Sequence, residues 1–301
     1  MKHLLKMLDL SKDEILQILG KADQMKYDLQ NGIPHRVLEG KTLAMIFQKA
    51  STRTRVSFET GMYQLGGQAL FLTNNDLQIG RGEPVEDTAR VLSRYVHGIM
   101  IRTFEQKEVD DLAKWGTIPV INGLTDFAHP CQILADLMTI REYHSTLDGI
   151  KLSYIGDGNN MCNSLIVGCL KSDMKISVAV PKGYEPHPEV LEFAKAYPDA
   201  FTMTTNPEEA AADADVLVTD VWASMGQESE AKKRMKDFEG FQINDNLVSL
   251  AAPKSIVLHC LPAHRGEEIT AEVFEANAEI IFSEAENRLH AQKAVMAILM
   301  G

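Results

Sequence analysis

The stretch "KASTRTR", residues 49–55, places hydroxyl and guanidinium side chains directly after an apolar run. A Ser-Thr-Arg-Thr at the start of a helix offers free backbone N–H groups, hydroxyl donors and the positive end of the helix dipole. An arginine adds paired donors that match phosphate oxygens. The Gly-rich GxxxxGK[ST] run of a P-loop is missing. We predict a phosphate site here, and the alternative is an ordinary helix cap with solvated arginines.

Two further residues have side chains suited to polar chemistry. His129 opens "HPCQ", which offers an imidazole and an amide within one helical turn, and beside a phosphate site it would polarise a neighbouring carbonyl. A structural histidine is the alternative. Cys260 follows the apolar run "SIVLH"; buried free cysteines are common, but its place after a strand favours a polar role.

The run "IGDGNN", residues 155–160, resembles part of a dinucleotide fingerprint. Met161 stands where the third glycine should be, so a nicotinamide-dependent oxidoreductase is only a weakly supported alternative. Near the C-terminus, Glu284, Glu286, Asn287 and Arg288 form a charged helical stretch, for which the local sequence predicts a solvated face.

The elements that position these residues alternate between apolar runs and amphipathic segments. A Ser11–Glu14 capping box starts a first helix that runs toward Gln30. Strands are predicted at 41–47, 69–72, 98–102 and 118–122, and again at 151–156, 175–180, 216–220, 255–260 and 279–282. Helices are predicted at 53–65, 84–95, 131–144 and 284–299. This pattern predicts an α/β protein with two doubly wound domains, each built on a central parallel sheet, hinged near 130–150.

In such folds ligands bind at the carboxyl ends of the strands. Every stretch with reactive side chains lies at or shortly after the carboxyl end of a predicted strand. These stretches are 49–55, Arg102, 126–132, 156–160, 220–226 and 259–265. Their shared position predicts that they contribute to one function.

Composition excludes several classes of protein. The chain has 301 residues, 45% of them hydrophobic, and 30 Lys plus Arg against 42 Asp plus Glu give a net charge of −12. No general attraction to nucleic acid or anionic membrane is expected, so an anion must be captured locally. The four cysteines, at 131, 162, 169 and 260, lack CxxC spacing, and the first residues lack a secretory or membrane pattern. We therefore predict a cytoplasmic protein with reduced thiols and no metal site.

Four motifs together resemble one known family. "STRTR", "HPCQ", "DVWASMG" and "HCLP", in this order, are similar to those of the aspartate/ornithine carbamoyltransferase family, and the resemblance covers essentially the whole chain. The first two motifs mark the wider family, and the last two mark its ornithine-specific branch. Gln48 stands where many members have Glu, a variant we expect to be tolerated because it lies outside the residues that should touch substrate.

The resemblance implies transfer of the carbamoyl group of carbamoyl phosphate to the δ-amino group of L-ornithine, giving L-citrulline and phosphate. The reaction serves arginine biosynthesis or, in reverse, catabolism, and it needs no cofactor or metal. A homotrimer or a multiple of trimers is implied. The implied domains are 1–130 for carbamoyl phosphate and 147–283 for ornithine. Interdomain helices at 131–146 and 284–301 complete the chain, and the last returns to the N-terminal domain.

The resemblance also implies site residues. Phosphate would be held by Ser51, Thr52, Arg53, Thr54 and Arg102, with Gln78 as a further contact. Thr54, Arg102 and His129 would polarise the carbonyl. Gln132, Arg288 and the backbone of Cys260 and Leu261 would fix the carbamoyl end. Asn160, Asp220, Ser224 and Met225 would hold ornithine, with the Cys260 thiol close to the attacking amine. Arg102, His129, Asp220 and Cys260 are the implied catalytic residues.

Other functions stay open at this point. The nearest alternative is a related enzyme that carbamoylates aspartate, putrescine or an acylated ornithine. Segment 220–226 argues against this alternative, because binding a free amino acid with a cationic side chain needs the acid Asp220 and the small residues that follow it. A non-catalytic anion-binding protein is a further alternative. It leaves His129, Asp220 and Cys260 unexplained.

Overall fold

A computed structural model of the chain describes residues 1–73, 75–78, 82–223 and 228–301. The chain forms two compact units. The first unit contains Met1–Met138 together with Asn287–Gly301, and the second contains Thr139–Glu286. Each unit is built around its own parallel sheet.

The sheet of the first unit has the strand order β2-β1-β3-β4. Phe47 pairs with Arg102 in the register of the two central strands, so both carboxyl ends finish side by side. Strands that are buried on both faces read as continuous apolar runs, which is why the sequence marks them clearly. The strands are β1 (Thr42–Phe47), β2 (Gln68–Thr73), β3 (Gly98–Arg102) and β4 (Val120–Leu124).

Helices connect these strands, beginning with α1. The predicted capping box is present: the Ser11 hydroxyl oxygen accepts from the Glu14 N–H at 3.1 Å, and the Glu14 carboxylate accepts from the Ser11 N–H at 2.9 Å. This arrangement satisfies two N–H groups at the helix start. The helices are α1 (Lys12–Gln30), α2 (Thr52–Gln64), α3 (Val85–Tyr95), α4 (Gln106–Trp115) and α5 (Pro130–His144), of which α5 continues into the second unit.

The second unit has five parallel strands in the order β7-β6-β5-β8-β9. Its core is rich in aromatic rings, including Trp222 stacked on Phe238 at a centroid distance of 5.7 Å. The strands are β5 (Lys151–Ile155), β6 (Lys175–Ala179), β7 (Phe201–Thr204), β8 (Val216–Thr219) and β9 (Ile256–His259). The helices are α6 (Asn160–Lys171), α7 (Pro188–Ala194), α8 (Pro207–Ala211), α9 (Ala231–Asp237), α10 (Asp245–Leu250) and α11 (Ala271–Ala276).

The sequence prediction of strands fails in two places. Strand β7 was not predicted, because "FTMT" alternates and is partly exposed at the sheet edge, where no continuous apolar run is needed. The predicted strand 279–282 is wrong, since these residues lie in the last helix, α12 (Ala278–Met300). Four apolar residues cannot separate a strand from a buried helical turn. Ile281 is buried while Phe282 is 56% exposed, as expected for one face of a helix.

The predicted α/β class, with two parallel sheets and a last helix that returns to the first unit, is confirmed. Within the described ranges, each helix is too short or too polar to cross a membrane.

Candidate active site

The start of α2 is formed by the predicted phosphate segment. Ser51 caps the helix: its Oγ accepts from the Thr54 N–H at 3.2 Å and donates to Thr54 Oγ1 at 3.1 Å. Thr54 is fully buried, and no acidic residue lies in the first turn. The capped, acid-free helix start suits an anion.

The three cations of this segment have different surroundings. The Lys49 ammonium is buried, pairs with Asp126 and lies 4.3 Å from the centre of the Phe104 ring. The Arg55 Nε donates to a Glu59 carboxylate oxygen at 3.0 Å, one helical turn away, and its side chain is 46% exposed. Lys49 therefore links the segment before α2 to Asp126 and Phe104, and Arg55 belongs to the exposed surface of α2.

Arg53 has a different environment, because its positive charge reaches the buried His129. Burial, followed by the guanidinium charges of Arg288, Arg102 and Arg53, holds the pKa of His129 well below its usual range. Arg102, His129 and Arg288 are each less than 9% exposed. We call the three arginines around this imidazole the guanidinium cluster. It offers donors for an anion and a neutral imidazole for a carbonyl oxygen.

Arg288 organises one side of this cluster. Its Nη1 donates to the Gln132 side-chain oxygen at 2.7 Å, and its Nη2 donates to Thr54 Oγ1 at 3.2 Å. The Gln132 amide nitrogen donates in turn to Asp136 at 2.8 Å. With its amide turned so that both ends are satisfied, Gln292 accepts from the Nε and Nη2 of Arg288 at 3.0 Å each. Arg288 thus brings Thr54 and Gln132 together.

The solvated face predicted for the charged stretch of α12 is wrong for three of its four residues. Glu284, Asn287 and Arg288 are buried, and only Glu286 is exposed. Their partners lie far away in sequence; for example, Lys26 donates to the Asn287 side-chain oxygen at 2.9 Å. Local sequence contains no signal for such partners.

The predicted contact Gln78 and the variant position Gln48 lie apart from these bonds. Gln78 is exposed in a bend after β2, and its carbonyl accepts from the Glu83 N–H at 3.1 Å. Its role stays a prediction. Gln48 donates to Glu108 at 3.2 Å and accepts from the Thr103 hydroxyl at 2.9 Å. A glutamate at this position would face the Glu108 carboxylate with like charge.

In the second unit, Asp220 follows β8 and is 7% exposed. Its Oδ1 accepts from the Val221 N–H at 2.8 Å and from the Cys260 thiol at 3.1 Å. Its Oδ2 accepts from the Asn159 side-chain nitrogen at 2.8 Å. The predicted acid and thiol therefore lie side by side, and three donors fix the orientation of the carboxylate.

Asn159 is a site residue that sequence reasoning missed. It caps α6, because its Oδ1 accepts from the N–H groups of Met161 and Cys162 at 2.9 and 3.2 Å. The predicted residue, Asn160, is the first residue of the helix itself and is partly exposed. The preference for Asn at a helix cap would have pointed to Asn159.

Asp157 and Arg234 form a buried ion pair that the sequence did not reveal. The Arg234 Nη1 donates to Asp157 Oδ2 at 2.7 Å, and each side chain is 8% exposed. Burial raises the pKa of Asp157 to about 6, although Arg234 opposes this effect. These residues are separated by 77 positions, so no local pattern connects them.

The turn at Cys260 is held by a buried histidine. The Leu261 N–H donates to His259 Nδ1 at 2.9 Å, and His259 Nε2–H donates to Glu268 at 2.9 Å. Leu261 has a left-handed φ of 59°. The His259 side chain thus holds the backbone of the turn that contains Cys260 and Leu261.

One described side-chain group has metal-ligand spacing. His264, Glu267 and Glu268 place ligand atoms within 4.8 Å of one another. Glu268 Oε1 accepts from His259 and from the His264 N–H, so this oxygen belongs to the turn just described. We assign no metal to the group.

The partial dinucleotide fingerprint has a structural explanation. A Cβ on Gly158 would lie 2.3 Å from the Tyr184 carbonyl oxygen and 2.5 Å from the Pro186 nitrogen. The Gly158 N–H donates to that same carbonyl at 2.9 Å. This glycine is needed for contact with the protein's own backbone, which removes the main support for a nicotinamide site.

Ser224 and Met225 lie outside the described residues.

Two family models match the chain. Residues 2–142 match the carbamoyl-P binding domain of aspartate/ornithine carbamoyltransferase, and residues 148–299 match its Asp/Orn binding domain.

Similar proteins carry the name ornithine carbamoyltransferase. The one from Carboxydothermus hydrogenoformans is 54% identical, and the match covers 100% of this chain and 98% of the relative. The one from Thermococcus kodakarensis is 55% identical over 97% of this chain and 94% of the relative. The solved structure from Pyrococcus furiosus is 53% identical with a TM-score of 0.96, covering 100% of this chain and 97% of that one. This chain therefore belongs to the aspartate/ornithine carbamoyltransferase family.

Proposed function

We infer that the protein transfers the carbamoyl group of carbamoyl phosphate to the δ-amino group of L-ornithine, giving L-citrulline and phosphate. The observation that carries this proposal is the guanidinium cluster around a buried His129 whose pKa is depressed. A phosphate next to a carbonyl needs both cations and a neutral donor, and this cluster supplies them together.

The donor half of the site consists of residues of the first unit. Phosphate oxygens bind the first turn of α2 and the guanidinium cluster, and the carbamoyl carbonyl accepts from Thr54, Arg102 and His129. The carbamoyl amide binds Gln132, whose orientation is supported by its bonds to Arg288 and Asp136. The phosphate contacts are Ser51, Thr52, Arg53, Thr54, Arg102 and Gln78.

The acceptor half consists of residues of the second unit. Asp220 pairs with the cationic amine of the amino acid, and Cys260 lies beside the attacking δ-amine. The 3.1 Å thiol-to-carboxylate contact and the cap at Asn159 support this assignment. Asn160, Ser224 and Met225 bind the α-groups, and the backbone of Cys260 and Leu261 contacts the carbamoyl end.

The chemistry follows from these groups. The free δ-amine is protonated at neutral pH, with a pKa of roughly 10 as for lysine. It must therefore lose a proton before its lone pair attacks the carbamoyl carbon. The carbonyl oxygen takes up the negative charge of the tetrahedral intermediate. Collapse breaks the bond to the phosphate oxygen, and the extra proton on the attacking nitrogen passes to the leaving phosphate. Since phosphate is already a good leaving group, positioning and charge stabilisation are the work of the protein.

We also propose an assembly, a location, a metabolic role and domain bounds for the protein. The assembly is a homotrimer or a multiple of trimers, and the protein acts in the cytoplasm. The reaction serves arginine biosynthesis or citrulline breakdown, which use one site. The substrate domains run over 1–130 and 147–283, and 131–146 and 284–301 are interdomain helices.

A panel of acceptors tests the proposal. We expect citrulline formation from carbamoyl phosphate and L-ornithine, with putrescine far slower because it lacks the α-groups. Aspartate should give no product, since its second carboxylate meets the like charge of Asp220. Measurable carbamoylaspartate, or putrescine turned over as fast as ornithine, would contradict the assignment.

A further inference from the structure

One buried guanidinium in the second unit joins three separate segments of chain. Arg234, on α9, donates from Nη1 to Asp157 at 2.7 Å and to the Trp222 carbonyl at 2.8 Å. Its Nε donates to Glu230 at 3.1 Å. The Arg234 and Asp157 side chains are each 8% exposed, so their bond forms away from bulk water, whereas Glu230 is 56% exposed.

Two partners of Arg234 lie in segments that are also linked to Asp220. Asp157 belongs to the turn after β5, two residues before Asn159, which donates to the Asp220 carboxylate. Trp222 lies two residues after Asp220. The turn and the segment after β8 are therefore joined twice, directly through Asn159 and indirectly through Arg234. Two separate attachments restrict the rotation of a short segment more than one attachment does.

Arginine is suited to this role and lysine is not. Its planar fork donates to several acceptors in fixed directions, while an ammonium is a compact point charge. The guanidinium carbon also lies 5.0 Å from the centre of the Tyr184 ring, which limits its movement from a further side. A buried ion pair is by itself weak evidence for stability, so an orienting role explains the pair better.

We propose that Arg234 is a positioning residue that sets the orientation of Asp220 through Asp157 and the Trp222 carbonyl. It does not touch the substrate, and its effect is confined to the acceptor half. The inference rests on the proposed function and deepens it.

The test compares Arg234→Lys with Lys233→Met. Lys233 is the preceding residue of the same helix, is 71% exposed and bonds to Asp237 and to the Tyr184 hydroxyl. Its substitution removes a cation beside the same ring but none of the hydrogen bonds that Arg234 donates. Citrulline formation is measured with each substrate varied in turn, and L-norvaline is used as an inhibitor that keeps the α-groups. For Arg234→Lys we expect the KM for ornithine and the inhibition constant of norvaline to rise about tenfold or more. The KM for carbamoyl phosphate should stay within about twofold, and Lys233→Met should match wild type.

A second variant, Asp157→Asn, keeps an acceptor oxygen but loses its charge. It should raise the KM for ornithine about threefold and decides the question if Arg234→Lys does not fold. A rise in the KM for carbamoyl phosphate as well as in the KM for ornithine would overturn the inference. So would a fall in kcat that matches the loss of folded protein seen in thermal unfolding, because Arg234 would then have only a structural role. An unchanged KM for ornithine in both variants would overturn it too, while citrulline formation by the wild type kept the proposed function intact. A wild type that forms no citrulline would overturn both.

Discussion

The two units use the same local architecture for opposite charges. In the first unit, a helix starts after strand β1, and the nearby ionisable groups include the guanidinium cluster of Arg53, Arg102 and Arg288. In the second unit, a helix starts after strand β5 and the nearby ionisable groups include Asp157 and Asp220. Both helix starts have a positive dipole end, which by itself favours an anion. The charged side chains near each helix start, whichever element carries them, therefore decide which ligand charge it favours.

The capping residues make this difference concrete. Ser51 uses its hydroxyl within the first turn of α2, where it bonds to the N–H and the hydroxyl of Thr54. Asn159 has a second polar end, and that end is bonded to Asp220. An amide cap thus converts a helix start into a support for a carboxylate.

The largest expected effect comes from removing the charge of the acceptor half. Asp220→Asn should lower kcat/KM for ornithine about 1,000-fold, because a buried, hydrogen-bonded partner of the substrate ammonium is worth roughly 2–5 kcal/mol. The KM for carbamoyl phosphate should not change. Asp199→Asn, an exposed acid of the same unit, is the control and should behave as wild type. A parallel loss of affinity for both substrates would show that the charge of Asp220 also affects the binding of carbamoyl phosphate.

The next effect tests the donor half. Arg53→Ala should raise the KM for carbamoyl phosphate roughly 30- to 150-fold, since losing a charge-assisted contact costs about 2–3 kcal/mol. Arg55→Ala is the matched control, because Arg55 lies two residues after Arg53 in the same segment and its guanidinium is bonded to Glu59. Equal KM values for the two variants would mean that "STRTR" is only a helix cap.

The smallest effect concerns stability and pH. The pKa of His129 is depressed on folding, so below about pH 6.5 the unfolded chain takes up a proton that the folded protein does not. The free energy of unfolding should therefore fall as pH drops below this value, by up to about 1.4 kcal/mol per pH unit. His129→Gln, which shares every other histidine with wild type, should lose this part of the slope. Urea unfolding at pH 5.0, 6.0 and 7.0 measures it, and identical slopes would mean that His129 is not buried in its neutral form.

Sequence reasoning located most of the fold and several of the close contacts. Buried central strands are continuous apolar runs, so β1 and β3 were found nearly to the residue. The edge strand β7 was missed because an exposed strand needs no such run, and "EIIF" was misassigned because a short apolar run fits a helical turn equally well.

The candidate site divides in the same manner. Asp220 and Cys260 were predicted and are 3.1 Å apart. Asn159 was within reach of sequence reasoning through its capping preference, but its bond to Asp220 was not. The Asp157 to Arg234 pair depends on a separation of 77 positions, and only the folded chain brings such partners together.

The first unit is discontinuous in the chain, and this has a consequence for biosynthesis. Its last piece, Asn287–Gly301, carries Arg288, and Met296 packs against Gly61 of α2. At roughly 5–20 residues per second, a ribosome needs on the order of 10 s to make the intervening unit. Until then the nascent first unit lacks the guanidinium that binds Thr54 and Gln132. The second unit is contiguous in the chain and is complete before the first, although the first is the one whose synthesis begins earlier.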